Sequence, residues 1–151
     1  MSWVKRLAEL GIELPGVAAP VAAYVPAVRS GSHVYTSGQL PFVDGRLAAT
    51  GKVGAEVSPE EAQRHARTCV LNALAAVDGL TGLDSVTRVV KVVGFVASAE
   101  GFTGQPAVIN GASELLGEIF ADAGAHARSA VGVAELPLGA PVEVELIVEV
   151  S

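Results

Sequence analysis

Arg128 and Glu143 are the two residues of this 151-residue chain whose types and placement point most directly to chemistry. Arg128 follows Gly124-Ala125-His126-Ala127 and opens an apolar β-type run, Ser129-Ala130-Val131, so its guanidinium emerges where a sheet edge meets a loop. A planar fork of donors in that position suits a carboxylate. A surface or subunit-interface ion pair is the plainer use of the same residue. Glu143 lies on the strand that returns after Leu136-Pro137-Leu138-Gly139-Ala140-Pro141. A carboxylate on a strand bordering a pocket can orient or deprotonate water, and a solvated strand position is its plainer use. Glu145 shares the face and competes for the role.

The returning strand alternates without a break. Val142, Val144, Leu146, Val148 and Val150 share one face, and Glu143, Glu145, Ile147 and Glu149 share the other. Three carboxylates on one face repel one another, so water, Arg128 or another subunit is expected to meet some of them.

The elements that position this pair follow from periodicity and punctuation. Trp3, Val4, Leu7 and Leu10 predict a short amphipathic lead-in ended by Pro15. Tyr24 to Val28 and His33 to Ser37 read as β-runs joined by a four-residue turn, Arg29-Ser30-Gly31-Ser32. Asp44-Gly45 marks the next turn. Ser58-Pro59-Glu60-Glu61 is a helix start, with a capping serine, a proline at the first position and a capping-box glutamate. That helix should run to about Leu80, carry Ala62, Ala66, Cys69, Ala73, Leu74 and Val77 on its apolar stripe, and end at Gly79 and Gly82. Val86 to Ala97 is too uniformly apolar for a half-exposed strand and predicts a central one. A second helix follows Pro106, weakened by Gly111 and Gly117 by up to about 1 kcal/mol each relative to alanine. The predicted order is ββ(β)αβαββ, an α+β two-layer domain with two helices on one face of a mixed sheet. Residues 1–151 form one domain, with 1–20 as lead-in.

Composition narrows the function. Half of the residues are hydrophobic, 5% are aromatic and 17% charged, so the core is built from Val, Ala and Leu. A mean hydropathy of +0.47 is high for a soluble monomer, and no stretch approaches the roughly 18 to 20 apolar residues of a membrane span. The surplus points to buried subunit interfaces. The net charge is -6, with scattered Lys and Arg, which argues against a nucleic-acid footprint. His33, His65 and His126 fall on different elements without paired ligands, so no metal is expected, and nothing implies a cofactor. The lone Cys69 reads as a small buried residue in a reducing compartment. Lys5 and Arg6 before Pro15 to Val28 imitate a secretory signal, but Glu9, Glu13, Pro15, Pro20 and Pro26 interrupt it, and the chain reads as cytoplasmic.

Together, Tyr24-Val25-Pro26, Tyr35-Thr36-Ser37-Gly38-Gln39-Leu40-Pro41, Val108-Ile109-Asn110-Gly111, Ala127-Arg128-Ser129-Ala130-Val131 and the Glu143-x-Glu145 block resemble the RidA/YjgF group, also labelled endoribonuclease L-PSP or chorismate-mutase-like. The resemblance runs from about Tyr24 to Val150. It implies a trimeric barrel with ligand pockets between neighbouring subunits, and hydrolytic deamination of small enamine or imine (2-imino acid) intermediates. In that scheme Arg128 holds the substrate carboxylate and Glu143 handles the attacking water, while Tyr24, Ser37, Gly38, Asn110 and Ala130 line the substrate site. Two departures place the chain in a divergent branch. Ala130 stands where the group often has a cysteine, and Ala22-Ala23 stands where RidA proper has Gly-Pro. A non-catalytic module that binds or senses keto acids is the alternative. Ribonuclease activity fits the acidic charge poorly.

Overall fold

The computed structural model describes residues 2–17 and 23–151. Pro20 and Ala22, which entered the reading of the N-terminal segment, lie outside the described residues. The chain opens with α1 (Trp3–Glu9), which Ser2 caps by accepting the Lys5 amide at 3.2 Å. Trp3 fixes this helix to the body: its indole N–H donates to the Val86 carbonyl at 2.7 Å, and its ring packs edge-on against Phe120.

Two strands follow, β1 (Ala27–Ser30) and β2 (His33–Thr36), paired antiparallel. The hairpin is tighter than the predicted four-residue turn. Ser30 pairs with His33, so Arg29 and Ser30 belong to the strand and only Gly31 and Ser32 turn the chain. The first strand also starts later than predicted, with Tyr24, Val25 and Pro26 preceding it. A small separate hairpin, β3 (Phe42–Val43) and β4 (Arg46–Leu47), turns at Asp44-Gly45 as expected.

The long helix α2 (Pro59–Thr81) begins as its capping signature dictates, with Ser58 accepting the Glu61 amide at 3.1 Å. It passes through Gly79 and stops at Gly82, and every residue of its predicted apolar stripe is buried. Next come β5 (Val86–Ala97), α3 (Gln105–Phe120), β6 (Ala127–Val133) and β7 (Val142–Val150). The five long strands form one mixed sheet in the order β1-β2-β7-β5-β6, with only β5 and β6 parallel. The alternation of β7 decides its packing. Its valines and Leu146 are at most 3% exposed and meet the α2/α3 layer, each worth about 1.5–3 kcal/mol on full burial.

Gly111 has a different role from the weak point predicted for α3. A Cβ there would stand 2.0 Å from the Gln63 carbonyl oxygen on α2, so the absent side chain lets the two helices touch. The sheet face turned away from the helices carries Val28, Tyr35 and Val131, each over two-fifths exposed, beside half-buried Phe95 and Ile147.

Candidate functional site

Arg128 lies on the edge strand β6, opposite Val92 of β5 in the parallel register. Val92 is fully buried, so Arg128 shares the helix-side face, and its contacts agree. Its Nη1 donates to Asn110 Oδ1 at 2.7 Å and to Ser113 Oγ at 3.3 Å, both on α3. His126 extends this set. One ring nitrogen, Nδ1, is 2.6 Å from the Gly124 carbonyl and the other, Nε2, is 2.9 Å from Ser113 Oγ. A carbonyl can only accept, so Nδ1 donates to Gly124, and the serine oxygen that accepts from Arg128 is also the partner of Nε2. The half-buried guanidinium is thus fixed by uncharged acceptors. Among the described residues it makes no ion pair, which leaves its positive charge for an anion. Ala130, opposite Gly94, lies two residues further along the same face.

Glu143 belongs to a second cluster. It sits opposite Phe95 on β7, on the face away from the helices. Its carboxylate lies against the Gly38 backbone so closely that a Cβ on Gly38 would come within 2.7 Å of Oε2. Burial pushes the Glu143 carboxyl above the ordinary range, and the neighbouring Glu145 charge adds to the effect. Glu143 and Gly38 border a cleft of about 890 Å³ together with Tyr24, Leu40, Phe42 and Leu138. Asn72 on α2 braces one wall, donating to the Leu40 and Phe42 carbonyls at 3.0 and 3.1 Å. Ser37 does not line the cleft; its hydroxyl donates to the Val25 carbonyl at 2.6 Å and shapes the segment that carries Tyr24.

The seven residues singled out in the sequence therefore divide into two groups. Arg128, Asn110 and Ala130 gather at the β6/α3 edge. Tyr24, Gly38 and Glu143 border the cleft, and Ser37 stands behind them, tied to the segment that carries Tyr24. Strands β6 and β7 flank β5, which sets them about 10 Å apart, and the arginine and the glutamate leave the sheet on opposite faces. One chain does not bring them together. Of the three carboxylates on the open face, Glu149 is met by the Thr87 hydroxyl at 2.7 Å rather than by Arg128.

Ser113 and His126 were not singled out for this site, although spacing carried a signal. Ser113 is three residues after Asn110 on a helix, and His126 is two residues before Arg128 at the mouth of a strand, so each pair shares a face. Cys69 is fully buried, its thiol 3.7 Å from the Val142 carbonyl. Burial first, and the Glu143 charge second, push that thiol well up, so it offers no nucleophile. Among the described residues no three His, Cys, Asp or Glu side chains come together to hold a metal, and no helix is long and apolar enough to cross a membrane.

Residues 16–150 match the family described as Endoribonuclease L-PSP, and the chain belongs to that family, the RidA/YjgF group. Protein TCP17 of Trypanosoma cruzi is 47% identical over 148 residues, covering 97% of this chain and 92% of that protein. The solved structure of Atu1372 from Agrobacterium tumefaciens is 46% identical and superposes with a TM-score of 0.90 over 99% of this chain and 92% of its own. TdcF of E. coli, solved with bound serine, is 28% identical with a TM-score of 0.64, over 91% of this chain and 93% of its own.

Proposed function

We propose that the protein hydrolyses small reactive enamine/imine intermediates of the 2-imino acid type, in a homotrimer that seats Arg128 of one copy beside the Glu143 cleft of the next. The observation that carries this reading is Arg128 itself, a half-buried guanidinium gripped by Asn110 and Ser113 and lacking a carboxylate partner among the described residues. Such a group recruits an anion, and the serine bound to TdcF carries a carboxylate of the required kind. The exposed apolar residues on the helix-free face support association through that face. The absence of a membrane-spanning helix among the described residues and the buried free thiol fit a cytoplasmic protein.

The chemistry asks little of the chain. With its carboxylate on Arg128, the imine presents an electrophilic carbon to a water beside Glu143. The water oxygen bonds to that carbon, the C=N electron pair moves to nitrogen, and Glu143 takes the water proton and delivers it to the nitrogen. Glu143 then takes the proton of the adduct's hydroxyl and passes it to the amine nitrogen, so that the C=O bond forms as C–N breaks and ammonia and a 2-oxo acid leave. A carboxyl held above its ordinary range is closer to the proton affinity such a shuttle needs. Orientation and charge stabilisation supply the rest.

Glu143→Gln keeps the shape and removes the base. Ammonia release from a freshly generated 2-imino acid, after subtraction of spontaneous hydrolysis, should fall by about 100-fold, while 2-oxo acid binding persists. Arg128→Lys should weaken binding of the same acids nearly as much as Arg128→Ala, about 1.5 to 3 kcal/mol, because an ammonium loses the fork geometry. A wild type that binds the 2-oxo acids but never exceeds the uncatalysed rate is the binding or sensing module instead.

A further inference from the structure

The cleft beside Glu143 is larger and more apolar than deamination of a three-carbon acid requires. Its volume of about 890 Å³ is near the top of the roughly 300–1,000 Å³ range that houses drug-sized ligands. Tyr24, Leu40, Phe42 and Leu138 supply apolar surface on several sides of it.

Leu138 is the residue that the fold alone does not explain. It follows Pro137 in the single turn between β6 and β7, with φ 61 and ψ 14, the left-handed conformation. A Cβ-bearing, γ-branched side chain is disfavoured there, whereas glycine or asparagine is at ease. The side chain is also 70% exposed, so the strained backbone gains no burial in return. Strain combined with an exposed apolar group at a cleft rim is the signature of a contact supplied from outside the chain.

We infer that Leu138 caps a side-chain pocket of the Glu143 cleft, and that the preferred substrates are 2-imino acids with a large apolar side chain, aromatic or branched, rather than three-carbon ones. This rests on the function proposed above. The carboxylate goes to Arg128, the reacting carbon faces Glu143, and the apolar side chain runs under Leu138 toward Leu40 and Phe42, where its transfer from water is favourable.

The unreactive 2-oxo acids pyruvate and phenylpyruvate test it, titrated calorimetrically into the full-length protein and into Leu138→Asn and Arg128→Ala. Asparagine tolerates the left-handed backbone, so this variant should fold at least as well as wild type. Phenylpyruvate should bind wild type roughly ten-fold or more tighter than pyruvate, and Leu138→Asn should erase most of that ratio by weakening phenylpyruvate far more than pyruvate. Arg128→Ala should weaken both acids alike. Equal affinities in wild type, or equal losses of both acids in Leu138→Asn, overturn the inference while an intact Arg128 effect leaves the carboxylate site standing. A Leu138→Asn protein with an unchanged ratio and a lower assembly mass makes Leu138 a subunit contact and also overturns it. Failure of Arg128→Ala to weaken either acid, or failure of both acids to bind, removes the proposed function and this inference with it.

Discussion

Two inactive variants should restore each other. Arg128 leaves the sheet on the helix side of edge strand β6 and Glu143 leaves it on the opposite face of β7, so the proposed homotrimer would build each site from one residue of each of two copies. Arg128→Ala trimers lack every carboxylate clamp, and Glu143→Gln trimers lack every base. In a mixed trimer, each interface where the Glu143→Gln copy presents its arginine to an Arg128→Ala copy's glutamate is complete. With equal amounts and random assembly, each contributing copy is of the right kind half of the time, so about a quarter of wild-type ammonia release should return. The assay mixes the variants, exchanges subunits through mild denaturant and dilution, and follows ammonia from a generated 2-imino acid. Separately treated variants and a mixture without exchange serve as blanks. Sedimentation of the exchanged sample should give three times the 15.3 kDa chain mass. Recovery no greater than the blanks, with trimers demonstrably mixed, would refute the division of the site between copies.

The two glycines of α3 should respond to the same substitution with opposite signs. Gly111→Ala drives a Cβ into the Gln63 carbonyl, an overpacking worth about 1–3 kcal/mol against a propensity gain of at most about 1, and thermal melts should show a lower Tm. Gly117→Ala, which meets nothing within 4 Å, should raise Tm by a few degrees, about 1 kcal/mol of helix propensity. Gly38→Ala displaces the flexible end of Glu143 rather than backbone, so its Tm should stay near wild type while ammonia release falls. For Glu143, whose carboxyl is raised by burial, the native state holds the proton more tightly than the unfolded chain. Its contribution is therefore fully present below the ordinary carboxylate range and lost as pH rises through the elevated value. Melts of wild type and Glu143→Gln between acidic and neutral pH should diverge, with wild type the relative loser at neutral pH. Parallel curves would mean the carboxylate is fully solvated.

Periodicity and caps carried the fold because they are local. Ser58 with Glu61, the α2 stripe and the β7 alternation each needed only a few neighbouring residues to be read, and each appears where the pattern put it. What local pattern could not supply was approach distance. Gly111 reads as a weak helix residue until Gln63, forty-eight positions away in sequence, is seen pressing against it. The candidate site follows the same rule one level up. Arg128 and Glu143 were visible as types, and their alternation within each strand fixed the face each occupies relative to its own neighbours. Whether two strands present those faces to the same side depends on their order in the sheet and on the parallel register of β5 and β6, which no single segment encodes. Ser113 and His126 illustrate the remainder. Neither residue has a chemical signature alone, and they acquire one only because α3 crosses β6 at Arg128, letting a serine hydroxyl stand between a guanidinium and an imidazole. The division of the seven candidates into an arginine edge and a glutamate cleft is thus a property of sheet order, and it is what turns a pair of motifs into an argument for more than one copy.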